Sequence, residues 1–360
     1  MRKSQNKTVQ IAKAGKSPAK STPPLLQDLR GLIIRSRENL AHTISSGIAL
    51  LYWEIGNRIR RDILKCKRAK YGAEIVPQLA TQLSAEFGRG FNSRNIFRMV
   101  RFAEVFPDPS IVTALRTQLG WSHFRQLISF EDPLKRDFYA EMCRVERWTT
   151  RTLEQKIQGM LFERTALSRK PQKLAALELK KLREEDRLTP DLVFRDPYFL
   201  DFLNLKDTYS ESDLETAILR EIENFILELG DGFAFVERQK RIPIDEDDFH
   251  LDLLFYHRRL QCLVAIELKL GDFQPADAGQ MQLYLAWLDR YEKRHGENPP
   301  IGLILCAGKK QERIELMNLG REGIRVASYW TKLPPKRELE KHLHRAILMA
   351  RTRLRSKSET

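Results

Sequence analysis

Between residues 233 and 270 three strand-like runs follow one another closely: FAFVERQKRIPI (233–244), FHLDLLFYH (249–257) and CLVAIELKL (262–270). Only Asp245-Glu246-Asp247-Asp248 and Arg258-Arg259-Leu260-Gln261 separate them. A crossover to a parallel neighbour needs about a dozen residues, so these gaps restrict the runs to antiparallel hairpins. An amphipathic helical pattern (211–229) ending at Gly230 precedes them. A second helix (276–294), an apolar strand IGLILCA (301–307), a short helix (310–319) and a strand GIRVASYW (323–330) follow. The order αβββαβαβ specifies a mixed α/β domain.

The front of the chain reads differently. From about Leu25 to Lys170 apolar residues recur at spacings of three and four, which is helical periodicity. A helix is expected over Glu74–Phe87, with Pro77 in its first turn. Gly88-Arg89-Gly90 breaks it, and Ser93 is placed to cap a new helix that stops at Pro107. This is a helix-turn-helix outline, and Arg94, Arg98 and Arg101 fall on one face of its second helix. Such a face suits phosphate contacts or a groove, though a solvated basic face would look the same. The cluster Arg58, Arg60, Arg61, Lys65, Lys67, Arg68 and Lys70 adds to the basic character. The expected organisation is a disordered basic arm (1–24), a helical N-terminal domain (25–170), a linker helix between prolines (171–190), the α/β domain (191–335) and a basic helix fraying into a tail (336–360).

The net charge of +14 averages over unlike parts. Residues 1–24 carry +6, residues 25–170 +10, residues 171–330 −8 and residues 331–360 +6. This split points to a polyanionic partner, nucleic acid above all. A protein partner or self-association through the N-terminal domain is the other reading of a basic surface. No stretch approaches the ~20 apolar residues of a membrane span and no signal-peptide pattern opens the chain, so a cytoplasmic protein with no membrane partner is expected. Cys66, Cys143, Cys262 and Cys306 form no CxxC pair and read as free thiols.

Within the apolar strands stand three charges. Asp252 sits in LDLLFY; Glu267 and Lys269 sit in VAIELKLG and, by alternation, share a face. Buried charges are costly unless paired or bound to metal. A salt bridge would account for one acid per lysine and leave the second carboxylate unpaired. Two acids and a lysine instead suit a site for Mg²⁺, or Mn²⁺, which takes oxygen ligands and often only one or two carboxylates.

Asp252 followed by Glu267-Leu268-Lys269 resembles the PD-(D/E)XK nuclease signature, with Leu251 where the proline would stand. Gln280-Met281-Gln282-Leu283-Tyr284 resembles the QxxxY element of RecB-like nucleases. Longer runs, LETAILREIENFILELGDGFAFVERQ and FHLDLLFYHRRLQCLVAIELKLGDFQPADAGQMQLYLAWLD, are similar to the YhcG family of PDDEXK nucleases. In the front half YWEIGNRI, FGRGFNSRNIFRMVRFAEVFP and LGWSHFRQLI resemble that family's N-terminal helical domain. The resemblance implies a restriction-endonuclease-like fold and a bacterial, metal-dependent nuclease acting on DNA, in all expectation an endonuclease. A metal would be held by Asp252, Glu267, the backbone carbonyl of Leu268 and a first-helix glutamate. For the last, Glu215 is the first choice, Glu211 the runner-up and Glu223 weaker. Lys269 would orient the nucleophile or stabilise charge on the phosphate. Gln280 and Tyr284 could contact substrate or lock Lys269, and Arg238 and Gln239 could touch DNA. The rival is a DNA-binding or assembly protein that keeps the nuclease fold without its chemistry.

Other motifs carry less. Ala14-Gly15-Lys16-Ser17 lacks the first glycine of a phosphate loop. Asp245–Asp248 reads as a solvated turn, and Trp121-Ser122-His123 has no acid partner for a hydrolase triad. The seven histidines are scattered.

Overall fold

Apolar faces spaced at three and four have to be covered, and in the front half they are covered by one another. The computed structural model describes residues 44–61, 69–205 and 208–358, with only backbone described for 69–75 and 353–358. The basic arm 1–24, Cys66 and the side chains of Lys65, Lys67, Arg68 and Lys70 lie outside the described residues. A helix over 44–61 crosses the helix Ser93–Val105 at Gly56. A Cβ there would stand 1.8 Å from the Met99 carbonyl oxygen, so only glycine permits the crossing.

The helix before the glycine turn spans Ala69–Phe87, which puts Pro77 in its interior and not in its first turn. The cap of the next helix is Asn92, whose side chain accepts the Asn95 N–H; Ser93 is already helical. Asn92 takes the role because its extended backbone (φ −64°, ψ 159°) aims the amide oxygen back at the first turn.

The segment 171–190 contains a helix, Gln172–Glu185, that buries Ala175, Leu179 and Leu182. It docks on the helix Pro133–Glu146: Arg183 Nε donates to the fully buried Glu141 at 2.5 Å, and Arg144 donates to Glu141 and to the Leu182 carbonyl, each at 2.9 Å.

The sheet has six strands: β1 (Tyr198–Phe199), β2 (Phe233–Ile244), β3 (Asp247–His257), β4 (Cys262–Asp272), β5 (Ile301–Gly308) and β6 (Ile324–Trp330). Their order is β1-β6-β5-β4-β3-β2. β2, β3 and β4 form the two expected antiparallel hairpins, and β4, β5, β6 and β1 run parallel. The short β1 was not legible in sequence. The first hairpin is tighter than its four acids suggest: Ile244 pairs with Asp247, leaving a two-residue loop with Asp245 at φ 53°. The amphipathic run 211–229 is two helices, Glu211–Arg220 and Ile222–Leu229, divided at Glu221; both bury residues in the same core.

The two faces of the sheet have different company. One, with Phe255, Val264, Ile266, Leu268 and Leu305, joins a core that runs without interruption into the helical half as far as Ala49. The other, with Leu254, Ala265, Ile304 and Cys306, is covered by the helix Pro275–Tyr291 through Met281, Tyr284 and Leu288. A terminal helix, Lys336–Ser358, seats Leu339 and Leu343 against Met160 and Phe199, and Arg351 donates to the Ser168 carbonyl at 2.9 Å. Glu228 joins the halves as well: it pairs with Arg164 from the helical half and with Arg195 (3.1 Å), and accepts the Phe199 N–H at 2.9 Å. Cys143, Cys262 and Cys306 are buried free thiols. No helix among the described residues is long and apolar enough to cross a membrane.

Candidate active site

The β3–β4 ladder ends at Leu253–Ile266. One step further along the same register Asp252 faces Glu267, and there the strands part. Parting leaves β4 amide groups without a ladder partner, and carboxylates take them. Asp252 Oδ2 accepts the Leu268 N–H at 2.8 Å, and Glu211 Oε1 accepts the Leu270 N–H at 3.1 Å. The acids that interrupt an apolar strand thus occupy the place where the sheet opens.

Glu267 is 5% exposed and lies on the face covered by the helix Pro275–Tyr291. Its Oε1 accepts from Lys269 Nζ at 3.1 Å, while Oε2 is buried without a hydrogen-bond partner. Burial, followed by the neighbouring Asp252 charge, pushes Glu267 up to about 7 against the pull of Lys269. Burial likewise raises Asp252, opposed by its hydrogen bonds from Leu268 and Gln239. For Lys269, burial acts against the cation, but the charge and hydrogen bond of Glu267 together with the charges of Glu211 and Asp277 outweigh it and the net shift is upward.

Glu215 comes to the site through an intermediary. Gln239, directly across the hairpin from Asp252, donates from Nε2 to Glu215 Oε2 at 2.9 Å and to Asp252 Oδ1 at 3.1 Å. Its backbone is left-handed (φ 45°), uncommon for a residue other than glycine and found where surrounding structure holds it. Arg238 is close enough to Glu215 for its charge to oppose the upward effect of burial on that carboxyl. Glu211 and Glu215 therefore both reach the opening of the sheet, whereas Glu223 lies beyond the helix break. The sequence suggested DNA contact for Gln239; its recorded partners are two carboxylates. The signal was there in the register, but it needed the two-residue loop at Asp245-Glu246 to count it.

Gln280 Nε2 donates to Tyr284 OH at 2.5 Å, and that hydroxyl donates to the His250 carbonyl at 3.2 Å. Tyr284 is buried, so it fastens its helix to β3 two residues from Asp252. In the helical half, Arg98 is half-buried beside Arg94 and Arg125; burial first, then these charges, lower its pKa. Arg101 is paired with Glu104 at 2.9 Å. His123 is held by the Gly120 N–H and the Trp148 carbonyl, a structural role.

Asp252 and Glu267 offer hard oxygen donors, one of them an orphaned buried oxygen, and burial pushes both carboxyls upward. That chemistry fits a hard divalent cation completed by solvent. Among the described residues no three acid, histidine or cysteine side chains group into a metal cluster.

Residues 191–344 match the family described as YhcG PDDEXK nuclease domain, and residues 28–164 match the DUF1016 N-terminal domain. A protein of Escherichia coli (strain K12) named "Putative nuclease YhcG" is 35% identical over 345 residues, 87% of this chain and 91% of that one. The chain belongs to the YhcG family of PDDEXK nucleases. The YhcG likeness thus spans the helical half as well as the sheet. Among solved structures, a repair endonuclease from Pyrococcus abyssi overlaps with a TM-score of 0.24 at 22% identity, covering 36% of this chain and 50% of that one. The EndoMS–dsDNA2 complex overlaps with a TM-score of 0.27 at 18% identity, covering 36% and 49%. Overlaps that limited carry no weight beside the YhcG match.

Proposed function

We propose that the protein is a divalent-metal-dependent endonuclease acting on DNA, with Asp252, Glu267, Lys269 and Glu215 as its catalytic centre. The observation that carries this reading is the meeting of Asp252, Glu267 and Lys269 where β3 and β4 part, with one Glu267 oxygen unpartnered. Asp252, Glu267 and the Leu268 carbonyl would hold Mg²⁺ or Mn²⁺, with Glu215 beside them. When bound, the cation would supply Lewis acidity toward the phosphodiester and acidify an attacking water. Lys269, kept cationic by Glu267, is poised to stabilise charge developing on the phosphate. Gln239 holds Glu215 and Asp252 in mutual register. Arg94 and Arg98, with Arg101 partly engaged by Glu104, and Arg238 beside the site would grip the phosphate backbone.

The test is cleavage of single-stranded, duplex, branched and RNA substrates with Mg²⁺ or Mn²⁺. Lys269→Ala and Asp252→Ala should each lower the rate by a factor of about 100 or more. Cleavage that survives both substitutions would remove the assignment.

A further inference from the structure

Beyond the acidic centre the same sheet carries a basic one. Lys269 pairs across the ladder with Cys306, and Cys306 with Ser328, so Ser328 stands two strands away, about 10 Å along the sheet. There a cavity of about 470 Å³ opens between the carboxyl ends of β5 and β6 and the terminal helix. The carboxyl ends of parallel strands are a common place for ligands in α/β sheets.

The charge in this cavity does not balance. Among the described residues Asp196 is the only acid lining it. Its Oδ1 accepts from the Ser328 N–H and hydroxyl, at 3.0 and 3.1 Å. Its Oδ2 receives two cations at once, Lys309 Nζ and Arg169, each at 2.5 Å. Lys309 is 12% and Arg169 22% exposed, so two largely buried cations share one carboxylate. The Arg169 Nε is buried with no hydrogen-bond partner. Arg345 and His342 on the terminal helix add donors at the rim, and Trp330 supplies an aromatic wall beside them. Desolvated excess positive charge is costly, and an anion entering the cavity would offset it. The aromatic wall adds room and affinity for a flat ring next to that anion.

From this geometry we infer a second ligand site, for a phosphate monoester, lined by Lys309, Arg169, Arg345 and Trp330. The group could arrive as a free mononucleotide or as the terminal phosphate of a nucleic-acid strand; the recognition chemistry is the same. The inference does not depend on the nuclease reading, because none of these residues belongs to the acidic centre.

Binding is measured on the full chain in EDTA, by calorimetry and thermal shift, with inorganic phosphate, adenosine monophosphate and adenosine. Phosphate and the mononucleotide should bind and raise the melting temperature, while adenosine should not. Arg345→Glu, a change at the exposed rim, should weaken the mononucleotide by about tenfold or more, and Lys309→Gln should abolish it. Lys269→Ala should leave it intact. Tighter binding of a 5′-phosphorylated oligonucleotide than of its 5′-hydroxyl twin assigns the site to strand ends; equal binding of the two, beside a tight mononucleotide, assigns it to the free nucleotide. No binding of either phosphate compound at tens of millimolar overturns the site. So does binding that Arg345→Glu leaves unchanged, and this holds even if Lys309→Gln fails to fold.

Discussion

Gln239 combines two features that pull in opposite directions. Its side chain serves two carboxylates, and its backbone occupies a conformation that glycine adopts freely. Gln239→Ala loses the hydrogen bonds and keeps the left-handed φ; Gln239→Gly loses the same bonds but relaxes the backbone. We expect both to impair cleavage, with the glycine variant about 1 kcal/mol more stable than the alanine variant by urea unfolding. Equal stability would mean that position 239 is not held against its preference. His257 makes a different residue-scale prediction. Burial at the end of β3 lowers its pKa from 6.5 to about 4, so the folded protein binds less proton there than the unfolded chain. Its contribution is fully present above pH 6.5 and is lost as pH falls toward 4, on the order of 3 kcal/mol in all. His257→Asn, which keeps a side-chain acceptor near the Leu260 N–H, should flatten the stability profile across that window. An unchanged slope would show that other groups govern it.

Among the elements, the crossing of the 44–61 helix over Ser93–Val105 has the least tolerance. A methyl at position 56 collides with backbone, which cannot swing aside as a side chain can. Gly56→Ala should therefore cost about 1–3 kcal/mol, read as a fall in melting temperature, although alanine is the better helix former. The helices, hairpins and most strands were readable because periodicity and turn composition are local signals. So were Asp252, Glu267 and Lys269, because charge within an apolar strand is conspicuous against its neighbours. What escaped depended on distance in the chain. β1 is two residues long and exists only because β6 lies beside it. The docking of Gln172–Glu185 follows from Glu141, more than thirty residues earlier. Gln239 could be placed opposite Asp252 only through a loop whose four acids concealed its true length. That Glu211 and Glu215 both reach the opening follows from where β4 amides lose their ladder and from Gln239 across the hairpin, which no spacing within one helix can reveal.

For the whole molecule, the continuous core alters how the charge division should be tested. The basic front half and the acidic sheet share buried side chains from Ala49 to Tyr329 and meet at Arg164, Arg195 and Glu228. Removing residues 1–170 would cut through that core and take Arg164 from Glu228, so that deletion would report on folding before it reported on affinity for nucleic acid. Calorimetry of the intact chain should show one cooperative transition in place of two. Glu228→Ala leaves two buried arginines without their carboxylate and should lower stability by about 3–5 kcal/mol, with both halves melting together. Two resolved transitions would mean that the shared core is energetically minor. The same architecture limits how such a protein can change over generations. The helices Glu211–Arg220 and Ile222–Leu229, which cover one side of the sheet, share their core with the N-terminal half, and the first of them also carries Glu211 and Glu215 to the acidic centre. Recombination that exchanged the front half for a foreign one would have to replace a fitted surface, not a tether. Diversification of the helical half is then expected to proceed by point changes at its surface, and not by wholesale domain shuffling.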